Sequence, residues 1–64
     1  MPPFVPRLVG DPKFRRYVVR DRKRQGEWFW TGQGWSRRLR EALLFADPDD
    51  VNRQIARLYA DLLR

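Results

Sequence analysis

The chain has 64 residues, no Cys, no His, and fourteen Lys/Arg against eight Asp/Glu, for a formal net charge of +6. That length allows one small domain with a modest core. The missing Cys and His exclude disulfides and the zinc sites that support many small basic domains.

The charge is divided along the chain. Residues 1–40 hold eleven Lys/Arg and three Asp/Glu, whereas residues 41–64 hold three and five. The basic half overlaps the most aromatic segment, residues 28–35, and that combination points to an anionic partner, with nucleic acid first. Twelve of the fourteen basic residues are Arg. This reflects either codon composition or the ability of a guanidinium to pair two phosphate oxygens at once. No apolar run is long enough to span a bilayer, and the first residues lack a signal-peptide pattern, so a cytoplasmic protein is expected.

Residues 1–13 carry four of the five prolines, which fix φ and remove donors. They read as an extended arm, either a short edge strand or a loose tail, ahead of a domain over residues 14–64. Gly10-Asp11-Pro12 reads as a turn. Residues 16–22 alternate: Tyr17 and Val19 point one way, Arg16, Val18, Arg20 and Arg22 the other, as in a strand. Lys23-Arg24-Gln25-Gly26 supplies a turn, and residues 27–31 a second, aromatic strand, so the two form a β-hairpin. Burial of two indoles outweighs burial of one phenyl ring. Trp28 and Trp30 are therefore expected inward, with Phe29 on the arginine face. The opposite register would set both indoles among the arginines as a stacking platform.

Gly32-Gln33-Gly34 ends the second strand. Residues 37–41 read either as one helical turn or as an irregular connection. Residues 42–46 are a short apolar run expected as the third strand. A helix over 48–62 follows, with Asp47 as N-cap, Pro48 in the first position and Asp49 and Asp50 in the first turn. Val51, Ile55, Leu58, Tyr59 and Leu62 form its apolar stripe. Asp50, Arg53, Gln54, Arg57, Asp61 and Arg64 lie toward the other side, and Arg57 and Asp61 are spaced to pair. The fold expected is α+β, a three-stranded antiparallel sheet packed against one C-terminal helix.

Catalysis is not expected. Thr31 and Ser36 have no evident base, and nothing brings Glu27 and Glu41 together as an acid–base pair. The Asp47, Asp49, Asp50 cluster sits where helix capping needs it, which outweighs a metal site. Gly32-x-Gly34 lacks the remaining residues of a phosphate-binding loop. No cofactor or metal is expected. Arg16, Arg20, Arg22, Lys23, Arg24, Phe29, Arg37 and Arg38 are the candidate nucleic-acid contacts, with the arginine row facing solvent. An ordinary solvated face is the competing account of that row.

Two resemblances bear on this. Tyr17-Val18-Val19-Arg20, Trp28-Phe29-Trp30-Thr31-Gly32-Gln33-Gly34-Trp35-Ser36 and Leu39-Arg40-Glu41-Ala42-Leu43-Leu44-Phe45 together resemble small bacterial and phage proteins. These share an aromatic strand, a Gly-x-Gly-Trp-Ser/Thr turn and a following helix, and they lend no function. The element order is similar to the three-stranded-sheet-plus-helix DNA-binding domains of plant ethylene-response factors and of integrase arm-binding domains, although the strand motifs of both are missing here. That likeness implies DNA contacts from Arg16, Arg20, Arg22 and Phe29 or Trp30. The expected function is nucleic-acid binding, DNA favoured. The alternative is a non-enzymatic adaptor that binds an acidic protein through the same surface, or through an exposed Trp35 and the N-terminal arm. An exposed edge strand would permit dimerisation.

Overall fold

A computed structural model describes residues 3–63. Four strands, β1 (Phe4–Val9), β2 (Arg16–Asp21), β3 (Trp28–Trp30) and β4 (Trp35–Ser36), form one antiparallel sheet in the order β1-β2-β3-β4. A 3-10 turn (Leu39–Glu41) and the helix α1 (Pro48–Leu62) complete the chain. The α+β class and the C-terminal helix are as expected, but the sheet has four strands rather than three. β1 comes from the Pro-rich segment, which takes the edge-strand option. β4 is made by Trp35 and Ser36. The expected third strand over 42–46 shrinks to a single bridge, in which Tyr17 and Phe45 exchange hydrogen bonds of 2.7 and 2.9 Å beside the end of β3.

Local chemistry explains the elements. Gly26 takes φ +88° in the β2–β3 connection, a conformation that side chains rarely adopt. The β3–β4 turn is closed by Thr31, whose N–H and hydroxyl both donate to the Gly34 carbonyl at 2.9 and 3.0 Å. Asp47 caps α1 by accepting from the Asp49 N–H at 2.9 Å. The ion pair seen on the helix is Asp50 with Arg53, at 3.6 Å, in place of the Arg57–Asp61 pair. Arg64 lies outside the described residues.

The register sorts the side chains. Phe4, Asp21 and Trp28 align across the sheet on one face, and Val5, Arg20 and Phe29 on the other. On the first face α1 buries Val51, Ile55 and Leu58 against Phe4 and Val19, with Tyr17, Trp30, Trp35, Phe45 and Tyr59 packed around them. The expected stripe holds except for Leu62, which is 61 % exposed on the last helical turn. Phe4 and Trp35 stack at 5.4 Å although they belong to the two edge strands. In a flat sheet those strands would lie about 14 Å apart, three spacings of roughly 4.8 Å, so the sheet is coiled around the helix. That stack also half-buries Trp35, against its expected exposure.

The second face is not open. Val18, Phe29 and Ala42 form a small core of their own, with Val9 packed against it. The chain leaving β4 crosses this face through the 3-10 turn and closes it with Ala42. The arginine row was expected on a bare solvent face; it instead flanks a buried patch, with Val18 fully buried between Arg16 and Arg20.

Candidate nucleic-acid interface

The eight candidate residues fall into two groups. Arg16 and Arg20 lie on the face opposite α1, as period-two alternation requires. Arg16 is exposed and donates to the Arg15 carbonyl at 2.8 Å. Arg20 is half-buried between Val5 and Phe29, and its Nε is buried with no hydrogen-bond partner. Phe29 is only 2 % exposed, so its ring fills the small core and offers no face to a base. Arg38 is exposed and enters the covering segment from β4, its N–H donating to Ser36 Oγ at 3.1 Å. Arg40, which sequence reasoning did not single out, is exposed in the same segment.

The second group gathers at the β2–β3 connection. Arg22 and Lys23 are exposed, and the Arg22 N–H donates to the Pro3 carbonyl at 2.6 Å. Asp21 is 6 % exposed and holds the connection together. Its carboxylate accepts from the Lys23 N–H at 2.9 Å and from Arg24 Nε at 3.0 Å. The Arg24 guanidinium then lies 5.4 Å from the Trp28 ring and 5.5 Å from the Trp35 ring. Arg37 approaches Trp28 at 6.0 Å and also covers Gly26, where an added Cβ would lie 3.2 Å from its Nη2. Trp28 and Trp30 do face the helix side, as expected. Trp28, however, sits at its margin, between two guanidinium groups, and its Nε1 donates to the Gln25 carbonyl at 3.0 Å.

Arg24 is thus a structural side chain, ion-paired and stacked on two indoles, contacts that each stabilise by roughly 0.5–1 kcal/mol at exposed sites. Asp21 was missed by sequence reasoning. Its one signal was a lone acid inside a strand, between Arg20 and Arg22.

Most of the acids have internal duties. Asp11 binds the N–H groups of Lys13 and Phe14, Asp21 binds Arg24, Glu27 binds Arg7 at 2.5 Å, Glu41 accepts from the Ser36 hydroxyl, Asp47 caps the helix and Asp50 binds Arg53. Ion pairs engage Arg7 and Arg24 of the basic half. Lys13, Arg15, Arg16, Lys23, Arg37, Arg38 and Arg40 are exposed and outside any ion pair. No described helix is long and apolar enough to cross a membrane. Comparison with family models, with curated proteins and with solved structures finds no match for this chain.

Proposed function

We propose that the protein binds nucleic acid, DNA in preference to RNA, through the basic residues along β2, the β2–β3 connection and the segment entering the 3-10 turn. The observation that carries this reading is the uncompensated charge. Most acids of the chain are engaged by main-chain N–H groups, by the Ser36 hydroxyl or by Arg7, Arg24 and Arg53, and Lys13, Arg15, Arg16, Lys23, Arg37, Arg38 and Arg40 reach solvent outside any ion pair. Such charge attracts phosphate and releases counterions on binding. From Arg16 to Arg22 the row runs on the order of 20 Å at about 3.4 Å per residue. A row of that length reaches several phosphates along a duplex, and the segment over Val18 keeps the strand itself outside the groove. Arg16, Arg20, Arg22, Lys23, Arg37 and Arg38 carry the phosphate contacts. Arg24 orders the connection, and Phe29 supports the strand from beneath.

The test is a DNA-binding titration at several salt concentrations, with heparin and an acidic protein as control polyanions. Arg16→Ala with Arg20→Ala should weaken binding and flatten the log–log salt dependence by about one unit per lost phosphate contact. Arg53→Ala with Arg57→Ala, on the acidic half, should leave both unchanged. Absence of DNA binding near physiological salt, or equal loss from the helix pair, would remove this reading. Tighter capture of the acidic protein than of DNA would put the adaptor in its place.

A further inference from the structure

The aromatic ring that the fold leaves in solvent is not in the aromatic strand. Phe14 is 68 % exposed, whereas every other described Phe, Tyr and Trp is buried or half-buried. It stands in the turn between β1 and β2, flanked by Lys13, Arg15 and Arg16, which are exposed and outside any ion pair.

The main chain beneath this ring is fixed. Asp11 Oδ1 accepts from the N–H groups of Lys13 and Phe14, both at 3.0 Å, and the Asp11 carbonyl lies 3.1 Å from the same Phe14 nitrogen. Gly10 has φ +93°, and an added Cβ there would come within 2.7 Å of the Phe14 carbonyl oxygen, so this turn requires glycine. The one acid in the segment, Asp11, is engaged by main-chain donors and is in no ion pair with the neighbouring cations. The turn therefore presents one flat apolar ring whose chain neighbours Lys13, Arg15 and Arg16 are exposed cations.

We propose that Phe14 is a base-stacking contact, with Lys13, Arg15 and Arg16 on the flanking phosphates. This rests on the nucleic-acid reading and narrows it: the preferred ligand is DNA that offers an unpaired base, such as a duplex with a single-stranded tail. A ring of this kind contributes on the order of tenfold in affinity per stacked base. Extracting a paired base from a closed duplex costs at least what one such stack returns, so closed duplex gains nothing from it. A lipid surface fits less well, because a single ring offers little apolar area for insertion.

The experiment titrates the full chain and its Phe14→Ala, Phe14→Leu and Phe14→Tyr variants with a closed duplex and with the same duplex bearing a single-stranded tail. Wild type should prefer the tailed duplex by on the order of tenfold. Phe14→Ala and Phe14→Leu should erase that preference with closed-duplex affinity and salt dependence unchanged, and Phe14→Tyr should retain it. A wild type that binds both forms equally, or a preference that survives in Phe14→Ala, overturns the stacking role and leaves the basic interface standing. Binding to neither form overturns the nucleic-acid reading itself. Loss of binding to vesicles of phosphatidylserine and phosphatidylcholine in Phe14→Ala, with the tailed-duplex preference intact, overturns it in favour of lipid.

Discussion

Arg20 separates the two uses a charged side chain can have here, packing and binding, and Arg20→Met sets them against each other. In the native chain the Arg20 stem lies between Val5 and Phe29 across the sheet, and its Nε is buried without a partner. A buried donor left unpaired costs about 1–3 kcal/mol relative to one that is hydrogen-bonded or solvated. Methionine keeps an unbranched stem of similar reach, fills irregular space and carries no donor. The substitution should therefore leave stability unchanged or raise it by about 1 kcal/mol, which in a domain of this size is about 4–8 °C in Tm. Under the proposed function the same change should weaken DNA binding and reduce the salt slope by about one unit. Denaturant and thermal melts read the first effect, and titrations at several salts the second. A loss of more than about 1 kcal/mol would show that the guanidinium stabilises the fold, and the bookkeeping of its orphaned donor would be wrong.

Three further substitutions probe the frame that holds this surface. Ile55→Ala removes a side chain that is 9 % exposed against Phe4 and Val19, and should cost about 2–5 kcal/mol in a denaturant melt. Leu62→Ala, on the same helix but 61 % exposed, should stay within about 0.5 kcal/mol. Tyr59→Phe deletes the hydroxyl that accepts from the Phe4 N–H at 3.2 Å and should cost about 0.5–1.5 kcal/mol.

The parts legible in the sequence were those set by short-range rules. The helix followed from Asp47, Pro48 and a stripe at helical spacing, and the β2–β3 hairpin from period-two alternation around Gly26. The inward register of Trp28 and Trp30 followed from the larger area of two indoles. Contacts between distant segments were not legible. The Phe4–Trp35 stack joins edge strands whose side chains meet only because the sheet coils, and no local pattern encodes that coiling. Val18 sits in the row with Arg16 and Arg20, so alternation alone placed it on a solvent face. Ala42, 24 residues later, is what buries it. Residues 42–46 looked like a strand because they are apolar. The face that makes Ala42 apolar and the edge that makes Phe45 apolar are different surfaces, which a single straight strand could not serve. For the interface, the charge division was readable, but the allocation of acids was not. Nothing in the spacing announces that Asp21 engages Arg24, or that Glu27 reaches back to Arg7.

Where a partner can reach this molecule follows from what the chain has already covered. One sheet face holds α1 and the other holds Ala42. The β1 edge is closed almost as fully. The hydrogen bond from Arg22 to Pro3 and the Tyr17–Phe45 exchange set the parity of pairing, so the main-chain groups of Phe4, Pro6 and Leu8 point away from β2. The Phe4 N–H is taken by the Tyr59 hydroxyl, Pro6 has no N–H, and among the described residues of β1 this leaves the Leu8 N–H as the outward donor. A second strand could form too few bonds there to offset the entropy of docking, which disfavours dimerisation by strand addition. At the other edge β4 has two residues, too short a template for another chain. With edges blunted, association through main-chain ladders is largely closed off, while Leu39, Leu43, Leu44, Leu62 and Leu63 stay exposed as scattered apolar side chains. The surface on which charge concentrates is the ribbon and the two turns at its ends, and a ligand suited to it is long, anionic and contacted side chain by side chain.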